Sequence, residues 1–403
     1  MVHKRNPFTA TFCTAPKALA LALCLLAGIS LYAQDPKSDA KQDKDIIIFT
    51  NGEKLIGRLE RSAGAKVVFK SDIAGEVTVD WSKVKEIHSS NKFAVIPKNV
   101  KLDRKEEASQ FPRGTLSVAN QQIQVTPEPG GTPQTVAVGN SAYVVSEPTF
   151  QNDILNNPNF FHGWAGAITA GATLVEATQK NQAFSGAVTL LRSIPSVTWL
   201  NPRNRTSLNF STSYGKLTQP NTPTVKTDIY HLDTERDEYF SPRFYAFGAA
   251  AFDHNFSQGL DLQQTYGGGI GWTLIKDDNQ QFDLKASVNY ASQQFQDASG
   301  EQNPGEIPNP EQDQNQNLLG STFTETYNRK LPRNILFNEQ ISISPAWNNL
   351  NAYSGAGAAN LSLPVYKRFN ITLGAMDTFL NNPPPGFRKN SFQFTSGITY
   401  TMP

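Results

Sequence analysis

The sequence predicts an all-β chain: a twelve-stranded antiparallel transmembrane β-barrel preceded by a small SH3-like or Sm-like periplasmic β domain. Three observations predict it. First, over residues 164–402 apolar and polar side chains alternate, run after run, with turn signals between runs. In the last run Phe392, Phe394, Ile398 and Tyr400 share one face, and Gln393, Thr395, Gly397 and Thr399 share the other. Successive side chains of a strand point to opposite sides of the pleat, so period two means strand. Second, no segment after the N-terminal region holds the roughly 18 consecutive apolar residues of a membrane-crossing helix. Third, both cysteines, Cys13 and Cys24, precede the patterned region. The rest of the chain has no disulfide or thiolate, and closing a sheet in lipid is a route to stability that needs neither.

The elements follow in order. Residues 1–33 read as a secretory signal. Lys4, Arg5 and Lys17 form a basic start, 18–31 are apolar or small, and Leu31-Tyr32-Ala33 precedes a cleavage point. About 14 apolar residues at 1.5 Å rise fall short of a bilayer core of roughly 30 Å. Leu23 stands before Cys24 where a lipoprotein signal wants a small residue. Residues 34–44 are polar and charged, a linker.

Residues 45–97 form the SH3/Sm-like unit. Five short strands are expected at 45–50, 54–60, 66–69, 75–79 and 84–87. Asn51-Gly52 makes the first hairpin turn, and Trp81 is a core or rim residue. Residues 98–150 hold a charged linker and a second β unit. Its runs at 114–116, 122–125, 134–138 and 142–145 echo the second to fifth strands of the first unit, as in a worn duplication.

The barrel occupies 160–403. Its strands are expected at 163–176, 183–194, 205–217, 226–239, 244–256, 262–275, 281–295, 317–330, 334–346, 352–365, 370–380 and 390–402. An even count returns the chain end to the side where the barrel began. With the preceding domain in the periplasm, the turns at 201–204, 241–243, 276–280, 331–334 and 366–369 are periplasmic, short and basic. Those at 218–224, 296–316 and 381–390 are outer, longer, and rich in Pro, Asn and Gln.

Tyr266, Ile270, Trp272 and Leu274 should face lipid, as should Phe282, Leu284, Ala286, Val288 and Tyr290. Asp283, Lys285, Ser287 and Asn289 should line the lumen. Trp164, Tyr239, Phe240, Phe244, Trp272 and Tyr400 suit interfacial girdles. Glu325 and Glu339 conflict with the pattern, since both fall on apolar faces and would meet across the hairpin at Pro332. A bulge turning both inward is the expected resolution. The alternatives are a shared proton or cation in the wall, or a protomer contact.

Charge excludes other classes. Lys and Arg total 36 against 35 Asp and Glu, so nothing points to nucleic acid. His231, Asp233 and Glu235 share one face at i, i+2 and i+4, which is either a solvated lumen wall or a cation site. His254 and Ser257, three apart, face opposite sides of a strand, which argues against a lipid hydrolase. No metal-spaced His pair, Gly-rich phosphate cradle or Gly-x-Ser-x-Gly is present, so no cofactor, metal or catalytic residue is expected.

The stretch 251–272 carries a motif. Phe252-Asp253 ends one strand, a loop with Leu260 follows, and Gly267, Gly268, Gly269 and Gly271 precede Trp272. This resembles the signature of the salt-induced outer-membrane protein family, a domain of unknown function. Gln263 stands where that pattern carries Arg. The resemblance spans roughly 160–403. It implies an outer-membrane barrel and no known reaction. The expected role is non-enzymatic: narrow solute or ion passage, or envelope maintenance under osmotic stress. Lipid hydrolysis, or an adaptor whose residues 45–146 hold a periplasmic protein or peptidoglycan, are the alternatives. Outer-membrane lipid is the expected surrounding partner.

Overall fold

In a computed structural model the described residues are 44–98, 111–127, 131–155, 160–161, 163–176, 180–197, 199–218, 224–277, 279–295, 315–384 and 387–402. The expected signal, nearly all of the 34–44 linker and the charged linker beyond Lys98 lie outside them. No helix among the described residues is long and apolar enough to cross a membrane.

The N-terminal strands are β1 (Asp45–Phe49), β2 (Lys54–Ala63), β3 (Lys66–Ser71), β4 (Gly75–Asp80), β5 (Val84–Pro97), β6 (Arg113–Ala119), β7 (Gln122–Thr126), β8 (Gln134–Ala137) and β9 (Ser141–Ser146). The echo between the two units is visible as topology, but the units are not separate. They share one nine-stranded sheet, ordered β4-β3-β2-β1-β5-β6-β7-β8, with β9 pairing both β2 and β5. The last strand of each unit pairs into the other: β5 with β6, the first strand of the second unit, and β9 with β2, the second strand of the first. The two last strands also pair with each other, Val95 opposite Val144. A boundary at residue 97 therefore cuts a continuous sheet. One core spans both units, from Ile47, Phe69, Trp81 and Phe93 to Leu116, Ile123, Val125 and Val144.

Alternation explains this core. In β7 Ile123 and Val125 are fully buried while Gln122 and Gln124 are exposed, as one face of a pleat requires. Of the first turn pair only Gly52 takes positive φ, +89°. Asp45 is buried and satisfied: Leu59 N–H donates to it at 2.7 Å, Asn91 Nδ2 at 2.9 Å, and the Ser89 hydroxyl also donates.

A short helical segment, Glu147–Thr149 running into Phe150–Leu155, leaves the domain. Phe150 and Ile154 pack with Ile96, Phe111 and Val145 against Val197, Trp199 and Leu200 of the connection between the second and third barrel strands. Tyr143 meets Trp199 at 5.2 Å between ring centroids, and burial pushes its hydroxyl above the usual pKa. Arg203 donates to the Ile154 carbonyl at 3.2 Å. The domain therefore sits at the end of the barrel that carries the short turns.

The barrel strands are β10 (Trp164–Glu176), β11 (Lys180–Ile194), β12 (Asn204–Thr218), β13 (Val225–Tyr239), β14 (Phe244–Asn255), β15 (Leu260–Lys276), β16 (Gln280–Phe295), β17 (Gln316–Leu331), β18 (Ile335–Ser344), β19 (Ser354–Tyr366), β20 (Phe369–Leu380) and β21 (Asn390–Met402). Each pairs antiparallel with the next, and β10 pairs with β21 through Thr169 and Thr399. Closure leaves no sheet edge unpaired. The twelve expected strands are all present, each within a few residues of its expected bounds.

Which face is inside follows from contacts between non-adjacent strands. Lys285 of β16 pairs with Glu235 of β13 at 2.8 Å. Side chains three strands apart can meet only on the concave side. Following the register from them, Phe184, Tyr266, Ile270, Trp272, Leu284, Val288, Tyr290, Phe392, Phe394 and Ile398 point outward, and all are exposed. One expectation fails locally. A register shift between Thr273 and Ile275 takes Leu274 out of phase, so Ile275 and not Leu274 pairs outward, opposite Phe282. A bulge adds one residue to one strand and reverses the faces beyond it.

Candidate functional site: the barrel lumen

The inner wall is chemically lopsided. On β13 His231, Asp233, Glu235, Asp237 and Tyr239 occupy successive inward positions. Arg205 on β12, Tyr245 and Asp253 on β14, and Asp283 and Lys285 on β16 face them. The far wall instead presents neutral groups, among them Thr322, Thr324, Ser342, Ser362, Thr372, Thr395 and Thr399. Thr399 bridges neighbouring strands there, at 2.7 Å from the Thr169 hydroxyl and 2.6 Å from that of Thr372.

The charged wall is ordered in pairs. Nearest the domain end, Arg205 Nε donates to Asp237 at 2.7 Å and lies over the rings of Tyr239 and Tyr245. Next, Lys285 holds Glu235 and sits 5.5 Å from the Phe247 ring. Farther out, His231 lies between two carboxylates, Nδ1 at 2.5 Å from Asp253 and Nε2 at 2.9 Å from Asp233. Asn209 donates to the other oxygen of Asp233 at 2.9 Å. A carboxylate accepts only, so two such neighbours require both ring nitrogens to carry protons. With both carboxyls ionised, His231 is held as an imidazolium between them.

The residues singled out from sequence divide. His231, Asp233 and Glu235 share the inner wall. They are engaged by Asp253, Asn209 and Lys285, and among the described residues no three His, Cys, Asp or Glu side chains converge on a metal-sized point. Asp253 joins this wall. Phe252 points outward and meets the Tyr266 ring edge-on at 5.9 Å. Gly267, Gly269 and Gly271 face inward and Gly268 outward, opposite Gly248. At Gly269 a Cβ would lie 2.0 Å from the Ala286 carbonyl oxygen. Tyr239 does not join an outer girdle. It is in phase with Asp237, and its ring lies 4.8 Å from that of Tyr245, tilted by 36°, inside the barrel. Phe244 and Trp272 do pair outward. His254 engages the Asp261 carbonyl at 2.7 Å, and its ring lies 5.8 Å from that of Tyr230.

Glu325 and Glu339 correct the expected bulge. The ladders on both sides of β17 run without a register shift, Leu284 to Glu325 to Ile341 and Phe282 to Tyr327 to Glu339. Both carboxylates keep the outward phase and sit diagonally, not opposite. Turning them inward would have carried Phe323, Tyr327, Phe337 and Ile341 inward too, because a slip of one flips every side chain.

Sequence reasoning passed over Asp237, Arg205 and Tyr245. Asp237 was available as the next inward position after Glu235. Arg205 could have been found by counting back across the β12–β13 hairpin. Tyr245 gave no signal, since its niche depends on a glycine of the neighbouring strand. At the domain-end rim, Asp277 Oδ1 accepts from the Asn279 N–H at 2.8 Å and the Gln280 N–H at 2.9 Å. The Asn279 bond above all, with the Gln280 side chain, holds its carboxyl below the usual range.

Residues 168–402 match a protein family described as "Protein of unknown function, DUF481". No curated protein matches the chain. Among solved structures it is similar to the NanC porin at 9% identity and a TM-score of 0.33, covering 59% of this chain and 99% of that one. It is similar to the translocator domain of the autotransporter NalP from Neisseria meningitidis at 10% identity and a TM-score of 0.31, covering 59% and 87%. The β domain of the Bordetella autotransporter Brka stands at 9% identity and a TM-score of 0.29, covering 59% and 97%.

Proposed function

The chain belongs to the DUF481 family of proteins of unknown function, and we propose that it is a non-enzymatic outer-membrane barrel for narrow passage of ions or small polar solutes. Its N-terminal β domain lies in the periplasm, at the mouth bearing the short turns. One observation carries the reading: the file His231–Asp233–Glu235–Asp237 faces the inside of a closed sheet whose outer face is apolar. A closed sheet satisfies all its backbone groups internally, as lipid demands. Charged side chains along the inner wall tolerate neither lipid nor a dry core, so they imply water in the lumen. Twelve strands enclose a small bore that side chains partly fill.

The test is single-channel recording on refolded, purified protein, alongside fractionation of cell membranes. Small current steps that grow with salt support passage. A bilayer that stays closed at every salt concentration discards it. Recovery of the mature protein in the soluble fraction would remove the membrane assignment itself. Cleavage of the N-terminal domain by protease added to intact cells would reverse the orientation.

A further inference from the structure

At the end of the barrel away from the domain, the β14–β15 connection does not stay on its own side. The turn Phe256–Gln258, closed by Gly259 at φ +68°, reaches β20 and the approach to β21. These are the fifth and sixth strands of the twelve meeting the eleventh and twelfth, half-way round the cylinder. The chain can make that contact only by crossing the mouth.

Gln258 ties the crossing down. Its amide is 3% exposed and saturated. Nε2 donates to the Thr378 carbonyl at 3.1 Å and the Lys389 carbonyl at 2.9 Å. Oε1 accepts from Asn255 Nδ2 at 2.9 Å and from the Thr378 hydroxyl at 3.4 Å. A carboxamide has two donor protons and two acceptor lone pairs, and all four are used. Apolar contacts reinforce the span. Leu260 and Phe295 pack on Leu380 from the far wall. The Phe387 ring occupies the space beside Gly259, where a Cβ would lie 2.7 Å from it.

We propose that this strap is the constriction of the pore, and that Gln258 is the residue that sets its size limit. The proposal rests on the passage reading. A strap across the mouth divides the opening into narrower gaps, and the bore behind it need not be the tightest point. Losing the Gln258 amide removes the polar tether of the turn to the far wall, loosening it without touching the barrel ladders or the charged inner wall.

The experiment compares conductance and neutral-polymer exclusion for the full mature chain and two variants. Gln258→Ala removes the amide. Gln258→Glu keeps its length but sets an acceptor against the Thr378 and Lys389 carbonyls. Gln264→Ala, an outward-facing change, is the control. Heat-modifiable gel migration reports folding for each. The expected result is a severalfold rise in conductance and admission of larger polymers in both Gln258 variants, with the control unchanged. Equal current and equal polymer cut-off in wild type and folded variants would overturn the strap and leave passage standing. Silence in wild type and in both variants would overturn the strap and the passage reading together. Silence in wild type with current in a variant would overturn the proposal as well, since a protein that passes nothing has no size limit for Gln258 to set.

Discussion

The Tyr245 ring fills the space over Gly271 on the inner wall. A Cβ at Gly271 would stand 2.2 Å from Tyr245 Cζ and 2.6 Å from its hydroxyl. The ring is fully buried there, under the Arg205 guanidinium. The glycine run of β15 is thus not a ligand cradle at this position. It is the floor of an aromatic niche, and the niche orders the cation–aromatic stack at the domain end of the lumen.

Gly271→Ala should therefore destabilise the barrel by about 1–3 kcal/mol, the usual cost of overpacking. The measurement is urea unfolding in detergent micelles. Adding Tyr245→Ala to Gly271→Ala should recover part of that loss, because the two residues share one space. Strictly additive losses would mean that the ring does not occupy the niche.

Among the described residues of the inner wall, His231 is the side chain set between two carboxylates. Arg205 and Lys285 each hold one, so the His231–Asp233–Asp253 set keeps an uncompensated negative charge even with the ring protonated. Low-dielectric walls focus that field into the bore. Reversal potentials under a salt gradient should show a preference for cations. Asp253→Asn should weaken the preference, and His231→Asn should strengthen it. Equal reversal potentials in all three proteins would detach selectivity from this set.

The rim turn at Asp277 carries a pH signature. Its carboxyl is held below the usual aspartate range by the Asn279 N–H, with Gln280 adding to it. A group depressed in the folded state contributes stability that is present above its unfolded pKa. That contribution is lost as pH falls through the folded value. The stability gap between wild type and Asp277→Ala should stay constant from neutral pH down to about 5 and close below about 4. Asp277→Asn keeps an acceptor for the backbone N–H groups and should show less pH dependence. A gap that persists in acid would mean that the turn bonds do not depend on the charge.

The barrel was legible in the sequence because the pleat writes its faces directly into period two, as in Phe392, Phe394 and Ile398. Strand number survived for the same reason. What failed were features set by a partner strand or a distant wall. Leu274 changed phase through a bulge that hydropathy does not mark. Tyr239 looked like an interfacial aromatic because its partners, Tyr245 and Arg205, come from two other strands. The destination of Gln258 lies 120 residues away, at Thr378, and nothing in its local sequence points there. The two N-terminal units looked separable because pairing between β5 and β6, and between β2 and β9, leaves no trace in either unit alone.

Glu325 closes the argument about the outer surface. It stands on the outward face of β17 between Leu284 and Ile341, in a groove shared with Trp272, Phe323 and Ile343. Six residues separate it from the end of its strand at Leu331, so it belongs to the apolar band and not to a rim. A carboxyl in that band costs on the order of 1 kcal/mol relative to an apolar side chain. Glu325→Leu should therefore raise unfolding stability in a lipid bilayer by about that amount, while Glu339→Leu, nearer the turn at Pro332, should gain less. The mass of the protein–detergent particle by light scattering separates the two explanations of why the carboxyl is there. If Glu325 met a second copy, its loss would lower the mass and forfeit the gain. If it faces lipid alone, the mass stays fixed and only the stability rises.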